Sequence, residues 1–154
     1  MDRKYYLAYG SNLNIAQMAR RCPNAKPVGT AAIPDYRLLF KGSGTGAYLT
    51  IEPETGGKVP VGVWSVTAAD ELALDYYEGT PRFYYKTEMT LPVVSLKTGA
   101  VTTRTAFVYI MREERDFGIP SASYVRTCLA GYRDFGFDRN LLAKAIQISK
   151  EARR

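Results

Sequence analysis

Arg3-Lys4-Tyr5-Tyr6-Leu7-Ala8-Tyr9-Gly10-Ser11-Asn12-Leu13 is the stretch on which the reading of the whole chain turns. Arg3 to Tyr9 has the composition of a strand, and Gly10-Ser11-Asn12 is a turn opening into a short helix near Leu13. Ile15, Met18 and Cys22 make one apolar face of that helix, and Pro23 stops it. A strand that runs through Gly, Ser and Asn into a helix leaves backbone N–H groups without partners, beside the positive end of the helix dipole. Such a place suits an anion. The same spacing also fits an ordinary helix cap, in which Asn12 serves only its own backbone.

Further along, Tyr36–Lys41, Ala47–Glu52 and Val59–Val66 read as strands, with turns at Gly42–Gly46 and Pro53–Lys58. The Gly42–Gly46 loop lacks the Gly-Lys-Ser/Thr ending of a phosphate loop and reads as a hairpin connection. Thr67-Ala68-Ala69-Asp70 has the form of a capping box. The helix it opens places Ala69, Leu72, Ala73 and Tyr76 on one face, and Gly79 is placed to end it. Phe83–Ser95 and Val101–Met111 follow as strands around a Lys97-Thr98-Gly99 turn. Two helices close the chain, one from Ser121 with the stripe Val125, Cys128, Leu129, Tyr132 and Phe135, the other carrying Leu141, Leu142, Ala145 and Ile146. This order predicts one α+β domain over residues 1–154, with about six strands and about four short helices. Few helices cover many strands, so a curled or barrel-like sheet is the economical arrangement.

Composition removes several chemistries. Residues AVILMFWYC make up 46% of the 154, enough for a core, and no apolar run is long enough to span a membrane. The N-terminus lacks the apolar stretch of a secretory signal, so a cytoplasmic location is expected. Cys22 and Cys128 are expected to be reduced and buried, with a single bridge between them as the alternative. The chain has no histidine. There is therefore no Ser-His-Asp triad, no Cys-His dyad and no histidine metal cage, and two separate cysteines do not make a zinc site. Neither metal nor organic cofactor is expected. Acid/base work near neutral pH falls to a tuned carboxylate, lysine, tyrosine or cysteine.

The net charge of +6 sits mostly in a basic C-terminal segment, where Arg139, Lys144, Lys150, Arg153 and Arg154 face only Glu151. That segment supplies +4 and leaves the rest nearly neutral, the pattern of a solvated helix face. The aromatics cluster around Glu78 instead of alternating with Lys and Arg, which argues against nucleic-acid stacking.

Glu78 breaks a local rule. It falls at the C-terminal end of the Thr67 helix, where the dipole disfavours an anion. Tyr76 and Tyr77 precede it, and Phe83, Tyr84 and Tyr85 follow. Desolvation by that cluster would raise its pKa toward the range useful to a general acid/base. An exposed glutamate at a frayed helix end meets the same pattern.

Taken together, these residues resemble the γ-glutamylcyclotransferase family, also described as avirulence-induced-gene-like proteins, over nearly the whole length. The resemblance rests on Tyr9-Gly10-Ser11-Asn12-Leu13 after the first strand and on Tyr36-Arg37-Leu38-Leu39-Phe40. It rests further on Gly62-Val63-Trp64 leading to Leu74-Asp75-Tyr76-Tyr77-Glu78-Gly79, with Pro81 and Tyr84 downstream. It implies a small mixed β-barrel with helices outside, acting on a small γ-glutamyl substrate without metal, membrane or nucleic acid, as a monomer or homodimer. The reaction implied is attack of the substrate's α-amine on its own γ-carbonyl, releasing 5-oxoproline and a free amine. Glu78 matches the family's acid/base, and Tyr9, Gly10, Ser11, Asn12 and Leu13 match its substrate loop. Tyr84 and Tyr124 match pocket tyrosines, with Tyr85 competing for the place of Tyr84. Tyr-Gly-Ser-Asn points to a branch that also includes enzymes removing γ-glutamyl protecting groups, so the leaving amine stays open. A non-catalytic binding or regulatory module on the same fold is the alternative.

Overall fold

The computed structural model describes residues 2–43 and 46–152. Strand β1 (Lys4–Ala8) runs into a 3₁₀ turn (Ser11–Leu13) and helix α1 (Ile15–Arg21). The hairpin β2 (Lys26–Ser43) and β3 (Gly46–Val66) leads to α2 (Ala68–Tyr77), then β4 (Tyr84–Ser95) and β5 (Val101–Met111). A two-residue strand β6 (Asp116–Phe117) precedes α3 (Ala122–Phe135) and α4 (Asn140–Ala152). The tip of the Gly42–Gly46 connection, residues 44 and 45, lies outside the described residues.

The sheet runs β3-β1-β5-β4-β2 and closes where β2 pairs β3, giving a five-stranded barrel with β6 added on β2. Among the described residues only β1 and β5 are parallel, at Tyr5↔Ala106 and Tyr6↔Phe107; the other pairings are antiparallel. This is the mixed barrel with outer helices that the sequence implies. Leu7, Val61, Val63 and Val108 share one face of the sheet, fill the barrel and are essentially without solvent contact.

Several elements differ from the sequence reading, three of them in the barrel wall and on α2. β2 begins at Lys26 and not near Tyr36, because Pro27 and Pro34, which look like breakers, sit beside register shifts where a missing N–H is tolerated. The expected Pro53–Lys58 turn is a bulge inside one continuous β3. Pro34 pairs Lys58 and Tyr36 pairs Pro53, so residues 54–57 face Asp35 alone, and Asp35 Oδ1 accepts from Gly56 N–H at 2.9 Å. In α2 the apolar face is also different: Leu72 and Tyr76 are 70% and 90% exposed, while Asp70 and Leu74 are buried. The barrel under this helix presents Lys4, Lys86 and Tyr109, which recruit Glu71 and Asp75, so α2 docks through carboxylates around one leucine.

Candidate active site

Glu78 is placed by both ends of α2. Thr67 Oγ1 accepts from Asp70 N–H and Asp70 Oδ2 from Thr67 N–H, the reciprocal cap anticipated from sequence. At the other end, Gly79 adopts φ +63°, its N–H donating to Tyr76 O and Thr80 N–H to Asp75 O. That pair of bonds is a Schellman ending, and only a residue without Cβ adopts this conformation at little cost. Between the two, Asp75 takes a hydrogen bond from Tyr109 Oη at 2.6 Å and pairs with Lys86 at 3.0 Å. One turn later Glu78 is therefore held against the barrel.

The loop before α1 is fixed from the opposite side. Helix α3 presses on it at Gly131, where an added Cβ would lie 2.6 Å from the Leu13 carbonyl carbon. Asn14, and not Asn12, caps α1, accepting from Gln17 N–H at 2.9 Å, while its Nδ2 donates to Thr127 O at 3.2 Å. The α-helix thus starts later than the sequence suggests, and Ser11 and Asn12 belong to the 3₁₀ turn ahead of it, which Gly10 precedes as N-cap. Released from capping, the buried Asn12 side chain donates to Tyr6 Oη at 2.9 Å and to Glu78 Oε1 at 3.5 Å. Among the described residues, the amides of Gly10, Ser11 and Asn12 have no hydrogen-bond acceptor.

Loop and helix end meet at a cavity of about 680 Å³. Ser11, Glu78, Tyr84 and Tyr124 are in its wall, and Gly10 lies just behind, 3.3 Å from Tyr124 Oη to an added Cβ. Tyr84 Oη donates to Leu49 O at 2.8 Å, and Leu49 N–H donates to Tyr124 Oη at 3.2 Å. The two tyrosines thus bracket one residue of β3. Tyr85 is directed elsewhere, with its hydroxyl on Glu113. Tyr9 lies beneath the wall, its hydroxyl donating to Tyr109 O at 2.6 Å. Leu13, expected at the substrate, does not reach the cavity. It is fully buried between Gly62 and Gly131, where it wedges the loop in place.

Three polar residues of the site have little or no signal in the sequence. Arg21 donates to Ser11 Oγ, Asn12 Oδ1 and Tyr77 Oη, and its guanidinium lies 3.4 Å from the Tyr77 ring centre. Gln17 borders the cavity with a buried Oε1 that has no donor among the described residues. Arg115 lies over Phe83 on the wall. Arg21, seven residues after Asn14, is signalled only by being a cation near the end of a short helix. Arg115 carries no local signal at all.

Burial pushes the Glu78 carboxyl up to about 7, against the downward pull of the Arg21 charge. Burial likewise drives the Tyr6, Tyr9, Tyr84 and Tyr124 hydroxyls well above their ordinary range, so they remain protonated. Among the described groups of the wall, Glu78 alone is brought near neutrality. Cys22 and Cys128 are buried, unpaired and raised by burial, so neither is an available thiolate. The described residues hold no cluster of His, Cys, Asp or Glu suited to a metal ion, and no helix long and apolar enough to cross a membrane.

A closed mixed barrel thus carries, at one cavity walled by tyrosines, a loop with open amides and one carboxyl brought near neutrality. The chain belongs to the γ-glutamyl cyclotransferase, AIG2-like family, whose sequence profile matches residues 6–126. A solved structure titled γ-glutamyl cyclotransferase is similar at 25% identity and a TM-score of 0.75, over 94% of this chain and 86% of that one. An uncharacterized protein from Homo sapiens is similar at 25% and 0.76, over 94% and 87%. YkqA from Bacillus subtilis shares the fold at 17% and 0.75, over 96% of this chain and 55% of its own. No curated protein sequence matches this chain.

Proposed function

We propose that the protein converts a γ-glutamyl amino acid or amine into 5-oxoproline and the free amine, with Glu78 as the acid/base. The observation that carries this reading is a single carboxyl near pKa 7 in the cavity, in contact with Asn12 of the open-amide loop. In this reading the Gly10, Ser11 and Asn12 amides take the α-carboxylate or the developing oxyanion, and Gln17 Oε1 is an acceptor for the α-amine. Tyr84 and Tyr124 wall the γ-glutamyl chain, while Tyr9 and Leu13 act from behind by holding the loop.

Nucleophile and electrophile belong to one molecule, so the step needs no covalent enzyme intermediate. The α-nitrogen bonds to the γ-carbon as the bond from that carbon to the leaving nitrogen breaks. The Glu78 carboxylate takes a proton from the attacking nitrogen and returns it to the leaving one. No electrons are gained or lost. Folding the chain into attack geometry can contribute about 7–11 kcal/mol at the extreme. A positioned carboxyl adds roughly 10²–10⁴-fold. The test is 5-oxoproline release from a panel of γ-glutamyl dipeptides, γ-glutamylamines and glutathione. Release from at least one is expected after exhaustive dialysis against chelator. Binding without release across the panel would leave the non-catalytic module in its place.

A further inference from the structure

The cavity carries a second cation that the proposed step does not use. Arg115 follows β5 in the turn toward β6, with its guanidinium 4.3 Å from the Phe83 ring centre. That turn is tied down. Arg112 N–H donates to Phe83 O at 3.0 Å, and its guanidinium donates to Pro81 O at 3.1 and 2.9 Å. Arg115 N–H in turn donates to Arg112 O at 3.2 Å.

The nearby Glu113 carboxylate is directed to Tyr85. Among the described residues no carboxylate lies within 4.0 Å of Arg115, and its guanidinium donates no hydrogen bond. Arg21 differs, since Ser11, Asn12 and Tyr77 already hold it. One cation is built into the wall beside Glu78, and the other is offered to the cavity with its donors open.

The aromatic wall fixes how these ends relate. Phe83, under Arg115, meets Tyr48 edge-on with ring centres 6.2 Å apart, and Tyr48 meets Tyr124 at 5.2 Å. Tyr124 Oη lies beside Gly10. Three rings therefore separate Arg115 from the loop assigned to the α-carboxylate. A guanidinium half-buried on a ring, with its planar fork unpaired, matches a carboxylate or a phosphate, and of the two the carboxylate is the group that the leaving amine of a γ-glutamyl amino acid or peptide carries.

We propose that Arg115 is a specificity residue that binds a carboxylate on the leaving amine, so that γ-glutamyl amino acids or peptides are taken in preference to uncharged or cationic amines. This rests on the γ-glutamyl reading of the same site. The test compares γ-glutamyl-alanine with γ-glutamyl-ethylamine, which differ only by that carboxylate. Calorimetry on Glu78→Gln protein avoids turnover. The alanine compound should bind about 10- to 100-fold more tightly, the range for a hydrogen-bonded ion pair. Adding Arg115→Gln should bring the ratio of the two dissociation constants near one, whereas Arg115→Lys should keep part of it. A loss of packing alone would weaken both ligands and leave the ratio standing.

Equal affinities before the substitution, a ratio that survives it, or no binding of either ligand overturns the proposal. Parallel 5-oxoproline assays on wild-type protein separate the two readings. Release without carboxylate preference removes Arg115 and keeps the cyclotransferase. A preference in binding without release does the reverse.

Discussion

Replacing Glu78 by Gln changes stability in a way that depends on pH. The carboxyl titrates near 7 in the folded protein and near its ordinary 4.5 when unfolded. Below about pH 4 both states hold the proton, and burial of the side chain carries no charge penalty. Between 4.5 and 7 the folded state keeps a proton that the unfolded state releases, so stability falls as pH rises. Above 7 the penalty is complete. A difference of this size corresponds to about 3 kcal/mol. Because the carboxyl borders a solvent-accessible cavity, about 2 kcal/mol is the better expectation.

Gln keeps the shape and cannot titrate, so it should match wild type at pH 4 and exceed it at pH 8. In a chain of this length the gain should be roughly 4–8 °C in melting temperature. Melts of both proteins at pH 4, 6 and 8, in buffers of equal ionic strength, read it out. A constant offset across that range would mean that Glu78 is not desolvated, and the acid/base argument would lose its basis.

Two other substitutions probe its neighbours. Gly10→Val drives a side chain into Tyr124 Oη and Leu49, 3.3 and 3.5 Å from its Cβ; it should cost about 1–3 kcal/mol in a thermal melt and abolish γ-glutamyl binding by calorimetry. A folded variant that binds as wild type would remove the loop from the site. Arg21→Met takes away the charge that holds Glu78 down, so the acid limb of the pH–rate profile should move to higher pH. An unmoved limb would separate Arg21 from the titrating group.

Local signals carried much of the fold. The Lys97-Thr98-Gly99 turn, the Thr67–Asp70 cap and the Ser121 cap are legible because each is decided within a few residues. Glu78 was visible for the same reason, as a carboxylate before a terminating glycine among aromatics. The barrel's closure was less legible, since β2 and β3 run through prolines that only a paired, bulged strand tolerates. The inner face of α2 is not legible in the sequence, because apolar periodicity cannot register a docking surface of lysines. Arg21 and Arg115 join the site across chain closures that no spacing encodes. Asn12 shows both sides: its place in the motif was plain, yet its freedom from capping depended on Asn14 taking that role.

The most direct measurement is 5-oxoproline release from γ-glutamyl-alanine by wild-type and Glu78→Gln protein, with the dissociation constant of each. Wild type should release 5-oxoproline with an acid limb near pH 7. The Gln variant should lose at least ~10² in turnover while binding the substrate about as well. A folded Gln variant that turns over at the wild-type rate would contradict the account.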